Sequence, residues 1–106
     1  VVVDGCRDPA TLAVAEEVAA WPGVRVLHKP NGGCASARNY GLEAASGTYV
    51  GFVDADDFVD RGFFEELLRA ALVTRMPVVQ GGFDLAEERD GHVDFRDSYE
   101  AAIAAG

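Results

Sequence analysis

Short apolar runs alternate with amphipathic stretches through most of this 106-residue chain. Val1, Val2 and Val3 are β-branched and stop at Asp4-Gly5, a pattern that predicts a short buried strand and a turn. Asp8 before Pro9 predicts a helix start, with the carboxylate as cap and proline at the first helical position. Leu12, Ala15, Val18 and Ala19 then recur on one helical face. Pro22-Gly23 closes that helix, residues 24–27 predict a second strand, and Pro30-Asn31-Gly32-Gly33 predicts a loop. Cys34, Ala37, Gly41, Leu42 and Ala45 form a narrow stripe, so the helix they predict can lie close against a sheet.

The downstream half repeats the alternation. Residues 49–53 (Tyr-Val-Gly-Phe-Val) carry little polarity on either face and predict a third strand inside a covered sheet. Asp60 is the predicted cap of a helix whose inner face is Phe63, Phe64, Leu67, Leu68, Ala71 and Leu72. Val78-Val79-Gln80 begins a predicted fourth strand, and Arg89-Asp90-Gly91-His92 predicts a turn into Val93-Asp94-Phe95. A final helix is predicted over residues 99–105 with Ser98 as its cap. This β-α-β-α-β-α-β order predicts an α/β fold with a mostly parallel, Rossmann-like sheet and helices on both faces. Ligands of such sheets bind beyond the carboxyl ends of the strands.

Composition narrows the chemistry. The length suits one small domain or a piece of a larger one, and no apolar run approaches the ~20 residues of a membrane helix. A formal charge of −9 argues against nucleic acid, whose binding rests on Lys and Arg neutralising phosphates. A small phosphate ligand remains compatible when a cation sits between it and the protein. Cys6 and Cys34 lack metal-type spacing and read as ordinary reduced small residues.

Two predicted strand ends carry carboxylates: Asp4 after the first, and Asp54, Asp56 and Asp57 after the third. Two unit charges ~4 Å apart repel by about 1 kcal/mol in water and about 4 kcal/mol at an effective dielectric of 20. A bound Mg²⁺ or Mn²⁺ offsets that repulsion, and magnesium commonly takes one or two carboxylates plus substrate phosphates. The cluster therefore predicts a divalent-metal site serving a phosphate-bearing ligand. An EF-hand reading fails, because Phe58 and Val59 stand where an oxygen ligand and the turn glycine belong.

With these residues in view, the chain resembles the nucleotide-binding half of a family 2 glycosyltransferase with the GT-A fold. The resemblance runs from Val1 to about Leu85 and rests on three segments in order. They are Val-Val-Asp-Gly at 2–5 with Asp8 after it, Asn-Gly-Gly-Cys-Ala-Ser-Ala-Arg-Asn at 31–39, and Phe-Val-Asp-Ala-Asp-Asp at 52–57. It implies that Asp4 bonds the donor's base, the acceptor-only carboxylate suiting a ring N–H such as uracil's. It further implies that Asp54-Ala55-Asp56 is the DxD motif, with Asp56 the direct ligand of Mn²⁺ or Mg²⁺ and Asp54 near the ribose and the metal. Arg38, Asn31, Gly32 and Gly33 match donor-side positions. Lys29 is a candidate phosphate contact. Structural readings stand beside these: Asp4 as a turn residue, Arg38 as a plain ion pair, Asp57 as a shaper of the turn, the glycines as loop chemistry, His28 and His92 as surface residues.

Departures from the family pattern limit the expectation. The family's first strand has no counterpart upstream of Val1, Val3 stands where a second aspartate is frequent, and Arg61 stands where proline is common. The acceptor half is also without counterpart, so residues 1–106 read as one incomplete GT-A domain with no catalytic base assigned. The expected activity of the parent protein is metal-dependent, inverting transfer from a nucleoside-diphosphate sugar (UDP-sugar by the base contact) to a hydroxyl of a glycan, lipid or small molecule. The chain alone is expected to be inactive. Its location is expected to be cytoplasmic, or peripheral at the cytoplasmic membrane face, and an exposed sheet edge is expected to promote self-association. A magnesium-dependent phosphatase, a phospho-receiver-like domain and a non-catalytic nucleotide-binding module remain as alternatives.

Overall fold

The computed structural model of the chain describes residues 1–82 and 84–97, which fall into two units, Val1–Asp54 and Ala55–Gly106. In the first unit, strand β1 (Val2–Asp4) pairs in parallel with β2 (Leu27–Lys29). Helix α1 (Pro9–Ala19) crosses between them, as parallel pairing requires. The register sets Val2 against Leu27, Val3 against His28 and Asp4 against Lys29. Backbone bonds from Leu27 to Val1 and from Gly5 to Lys29 extend the pairing at both ends.

Asp8 caps α1 as its position before Pro9 predicts: a carboxylate oxygen accepts from the Thr11 amide at 2.9 Å and from its hydroxyl at 2.6 Å. Ala15 is the buried residue of α1, with Leu12 and Val18 half-buried beside it and Ala19 left exposed. Helix α2 (Cys34–Ala44) lies on β1, and its narrow stripe is the reason it can do so. A Cβ placed on Gly41 would come within 3.3 Å of Val2 Cγ2, tighter than ordinary contact.

Several expected elements differ. The second strand lies at Leu27–Lys29 rather than over residues 24–27. Residues 49–53 form no strand, and Tyr49, Val50, Phe52 and Val53 remain 46–53% exposed. Their pattern supplies strand propensity, but a strand also needs a neighbouring ladder, and the ladder in this unit is formed by β1 and β2 alone. The sheet of this unit is therefore two-stranded, and Val3 and Ala15 are its buried apolar residues among those described.

In the second unit, α3 (Phe63–Thr74) starts after Gly62, whose position lacks a side-chain cap. Asp60 therefore does not cap it through its carboxylate; its carbonyl accepts from the Phe63 amide instead. Ala71 is buried, and Gly81 lies against Phe63 and Leu67, where a Cβ would reach 2.8 Å from the Phe63 ring. Residues 78–80 are not a strand. Strand β3 (Asp84–Arg89) pairs antiparallel with β4 (His92–Asp97). Asp90 (φ 50°) and Gly91 (φ 77°) turn the hairpin with two positive φ values, the form that follows strand twist. The helix expected over residues 99–105, and its cap Ser98, lie outside the described residues. No helix among the described residues is long and apolar enough to cross a membrane.

Candidate functional site

Parallel register places Asp4 and Lys29 opposite each other at the carboxyl ends of their strands. Lys29 Nζ donates to Asp4 Oδ1 at 2.6 Å and to the Pro30 carbonyl at 2.7 Å. The Gly32 amide donates to the same Oδ1 at 3.0 Å, and the Gly33 amide to Oδ2 at 2.9 Å. The two side chains are largely covered, Lys29 12% and Asp4 18% exposed. The Lys29 hydrogen bond holds the Asp4 carboxyl below the usual carboxylate range; the glycine amides add to this against the opposing effect of burial. A carboxylate offers about four acceptor positions, and these bonds take three of them. Among the described residues, one position on Oδ2 has no protein partner.

The loop between β2 and α2 is fitted closely to β1. Gly5 takes φ +70°, and a Cβ there would lie 2.6–2.9 Å from the Asn31 backbone and Cβ. Asn31, Gly32 and Gly33 are exposed on the other side of that contact. Alongside, a surface depression of about 300 Å³ is lined by Val3, Gly5, Cys6, His28, Lys29 and Pro30. Cys6 and Cys34 are both free thiols.

Arg38 stands on α2, one turn beyond the loop. Its guanidinium donates to Asp54 Oδ1 at 2.6 Å, and the side chains are 46% and 51% exposed. Hydrogen bonding and charge attraction from Asp54 raise the Arg38 pKa further, so the group stays cationic. Asp56 and Asp57 follow in the second unit and are exposed. Within the first unit, then, Asp4 gathers Lys29, Gly32 and Gly33, while Arg38 gathers Asp54.

No cluster of three or more His, Cys, Asp or Glu side chains that could hold an ion occurs among the described residues. Asp54 and Asp56 are exposed carboxylates, each with the hard oxygen donors that a divalent cation prefers.

Sequence reasoning missed how Lys29 is used. The signal was there in the second apolar run: extended by two residues, that strand ends on Lys29 just as the first ends on Asp4. The Gly33 amide bond to Asp4 had no such sequence signal, because it depends on where α2 begins.

The family model described as glycosyl transferase family 2 matches residues 1–101. The uncharacterized glycosyltransferase EpsJ of Bacillus subtilis is 48% identical over 60 residues, covering 57% of this chain and 17% of the relative. The uncharacterized glycosyltransferase YibD of Escherichia coli is 39% identical over 84 residues, 79% of this chain and 24% of the relative. The chondroitin synthase of Pasteurella multocida is 36% identical over 69 residues, 65% of this chain and 7% of the relative. The chain thus spans less than a quarter of the length of the curated relatives it matches. No solved structure matches it.

Proposed function

This chain belongs to glycosyl transferase family 2, and on that premise we propose that it supplies the donor-binding end of a metal-dependent, inverting glycosyltransferase. The observation that carries the reading is the Arg38–Asp54 pair, which sets a permanent cation beside the first carboxylate of Asp54-Ala55-Asp56. A guanidinium binds phosphate oxygens through a planar fork of donors, and carboxylates bind the cation that phosphates share.

In this reading Arg38 faces the diphosphate of a nucleoside-diphosphate sugar. Asp56, with Asp54 two positions before it in the chain, would hold Mn²⁺ or Mg²⁺. When bound, that ion supplies positive charge against the leaving nucleoside diphosphate. Asp4 would offer its remaining Oδ2 position to one N–H of the base, which favours uracil. Asn31 and Gly32 border the donor. A bond forms between the acceptor oxygen and C1 of the sugar as the C1–O bond to the diphosphate breaks, and the electron pair leaves with the diphosphate. The hydroxyl proton passes to a base assigned to none of the residues described. A growing glycan is the favoured acceptor, supported by the chondroitin synthase among the relatives. The reading places the reaction on the cytoplasmic side, where nucleotide sugars are met.

Calorimetry with UDP, with and without Mn²⁺, tests this. Binding is expected to need the ion and to be lost in the Asp56→Ala variant. Binding indifferent to both would sink the reading.

A further inference from the structure

The loop that borders the donor is not held by its own sequence alone. Residues 30–33 contain one proline and two glycines, a composition that permits many backbone paths. Their path is set from outside the loop, by Asp4 on β1, which accepts the amides of Gly32 and Gly33 on different oxygens. Asp4 is in turn fixed by Lys29, whose ammonium also reaches the Pro30 carbonyl. A Cβ on Gly32 would come within 2.8 Å of Lys29 Nζ, so the ammonium lies directly beneath that residue.

We propose that Lys29 is the positioning residue of the donor-side loop, locking residues 30–33 through Asp4 and the Pro30 carbonyl rather than meeting the donor's phosphates. Its consequence for nucleotide binding rests on the donor reading above; the lock itself does not. Two amides preceding a helix, together with a lysine, make an anion receptor in many proteins. Here the protein's own Asp4 carboxylate fills it. Both amides are therefore spent inside the chain, and the start of α2 serves as a fixed wall. Lys29 has three donors, and two are committed inside the chain. The low exposure of both side chains limits water's access to the Lys29–Asp4 bond.

Amide hydrogen exchange resolved at Gly32 and Gly33 reads the lock directly. Lys29→Met keeps most of the side-chain length but removes the charge and the donors. Both amides are expected to exchange about tenfold faster, the loss of a charged hydrogen-bonding partner for Asp4. The Leu27 amide, bonded to Val1 O in the adjoining ladder, is expected to be unchanged. Lys29→Arg, which keeps a cation and donors, is expected to restore most of the protection. In the wild type the Lys29 ammonium is expected to give a resolved, slowly exchanging NMR signal correlated with Asp4, which needs no variant to fold.

Unchanged exchange at Gly32 and Gly33 in Lys29→Met overturns the proposal. So does a Lys29 ammonium in free exchange with water. Titration of each protein with UDP and Mn²⁺ separates the two readings. Weakened UDP binding in Lys29→Met with rescue in Lys29→Arg supports the positioning role. Wild type that ignores UDP while the two amides still open in Lys29→Met overturns the donor reading alone and leaves the lock standing.

Discussion

Arg38 and Asp54 lie sixteen residues apart in sequence, and the guanidinium reaches the carboxylate at 2.6 Å with about half of each side chain in solvent. An ion pair this exposed is screened by salt and adds little to folding. Its placement beside Asp56 in the chain matters more. Arg38→Ala is expected to leave the thermal midpoint nearly unchanged while weakening UDP–Mn²⁺ binding about tenfold, the effect of losing a charge-assisted bond to phosphate. Thermal denaturation and calorimetry on the same variant check both halves.

Asp57 gives a contrast to Asp56. Both are exposed, but only Asp56 is given the metal in the reading above. Asp57→Ala is expected to keep Mn²⁺-dependent UDP binding within about threefold of wild type, less than 1 kcal/mol. A loss equal to that of Asp56→Ala would move the ligand assignment.

Acid should loosen the first unit in a defined direction. Asp4 is held low chiefly by Lys29, and Asp8 chiefly by the Thr11 hydroxyl and then its amide. Both pKa values are lower folded than unfolded, so the stability they contribute is complete above about pH 4, the unfolded value. It is lost as pH falls through the depressed folded values. Thermal midpoints measured down a pH series should fall below about pH 4, and Asp8→Asn should flatten that fall.

Two glycines separate strain from crowding. Gly33 has φ +87° with open space where a Cβ would sit, whereas Gly5 combines φ +70° with the Asn31 backbone at under 3 Å. Gly33→Ala is expected to cost about 1–3 kcal/mol from conformation alone, since φ 87° with ψ 171° is a backbone region essentially confined to glycine. Gly5→Ala should cost more, by about 1–3 kcal/mol, because backbone must move. Denaturant unfolding of the two variants orders them.

The exposed apolar side chains of residues 49–53 predict association. Tyr49, Val50, Phe52 and Val53 keep roughly half their surface in water, and strand-competent segments of this kind recruit partners. Light scattering is expected to show mass rising with concentration; a monomer at every concentration would refute it.

Local signals were legible wherever the physics is local. Asp8-Pro9 gave the start of α1 because cap and proline act within one turn. Asp90-Gly91 gave the hairpin turn because two positive φ values select those residues. The stripe through Gly41 gave the close helix–strand contact. What failed was pairing. Residues 49–53 and 78–80 have the composition of strands, but composition does not say whether a neighbour offers its amides. Of the candidate site, the sequence singled out Asp4, Arg38 and Asp54 by residue type and position, but not the groups they bond. Lys29 belongs to Asp4 through register, and Arg38 to Asp54 through the course of the chain after α2.

Gly41 lies two turns along α2 from Cys34, roughly 10 Å of helix. It rests on Val2, whose chain neighbours include Val3 and then Asp4. The contact sets the spacing of helix and strand: a methyl there needs the Val2 side chain to give by a few tenths of an ångström, and a bulkier group is expected to lift α2 from β1. Arg38 on α2 and the Gly33 amide at its start would then shift relative to β1. A substitution well away from any ligand would then behave in binding assays like damage to the site, and its severity should grow with the volume of the side chain introduced.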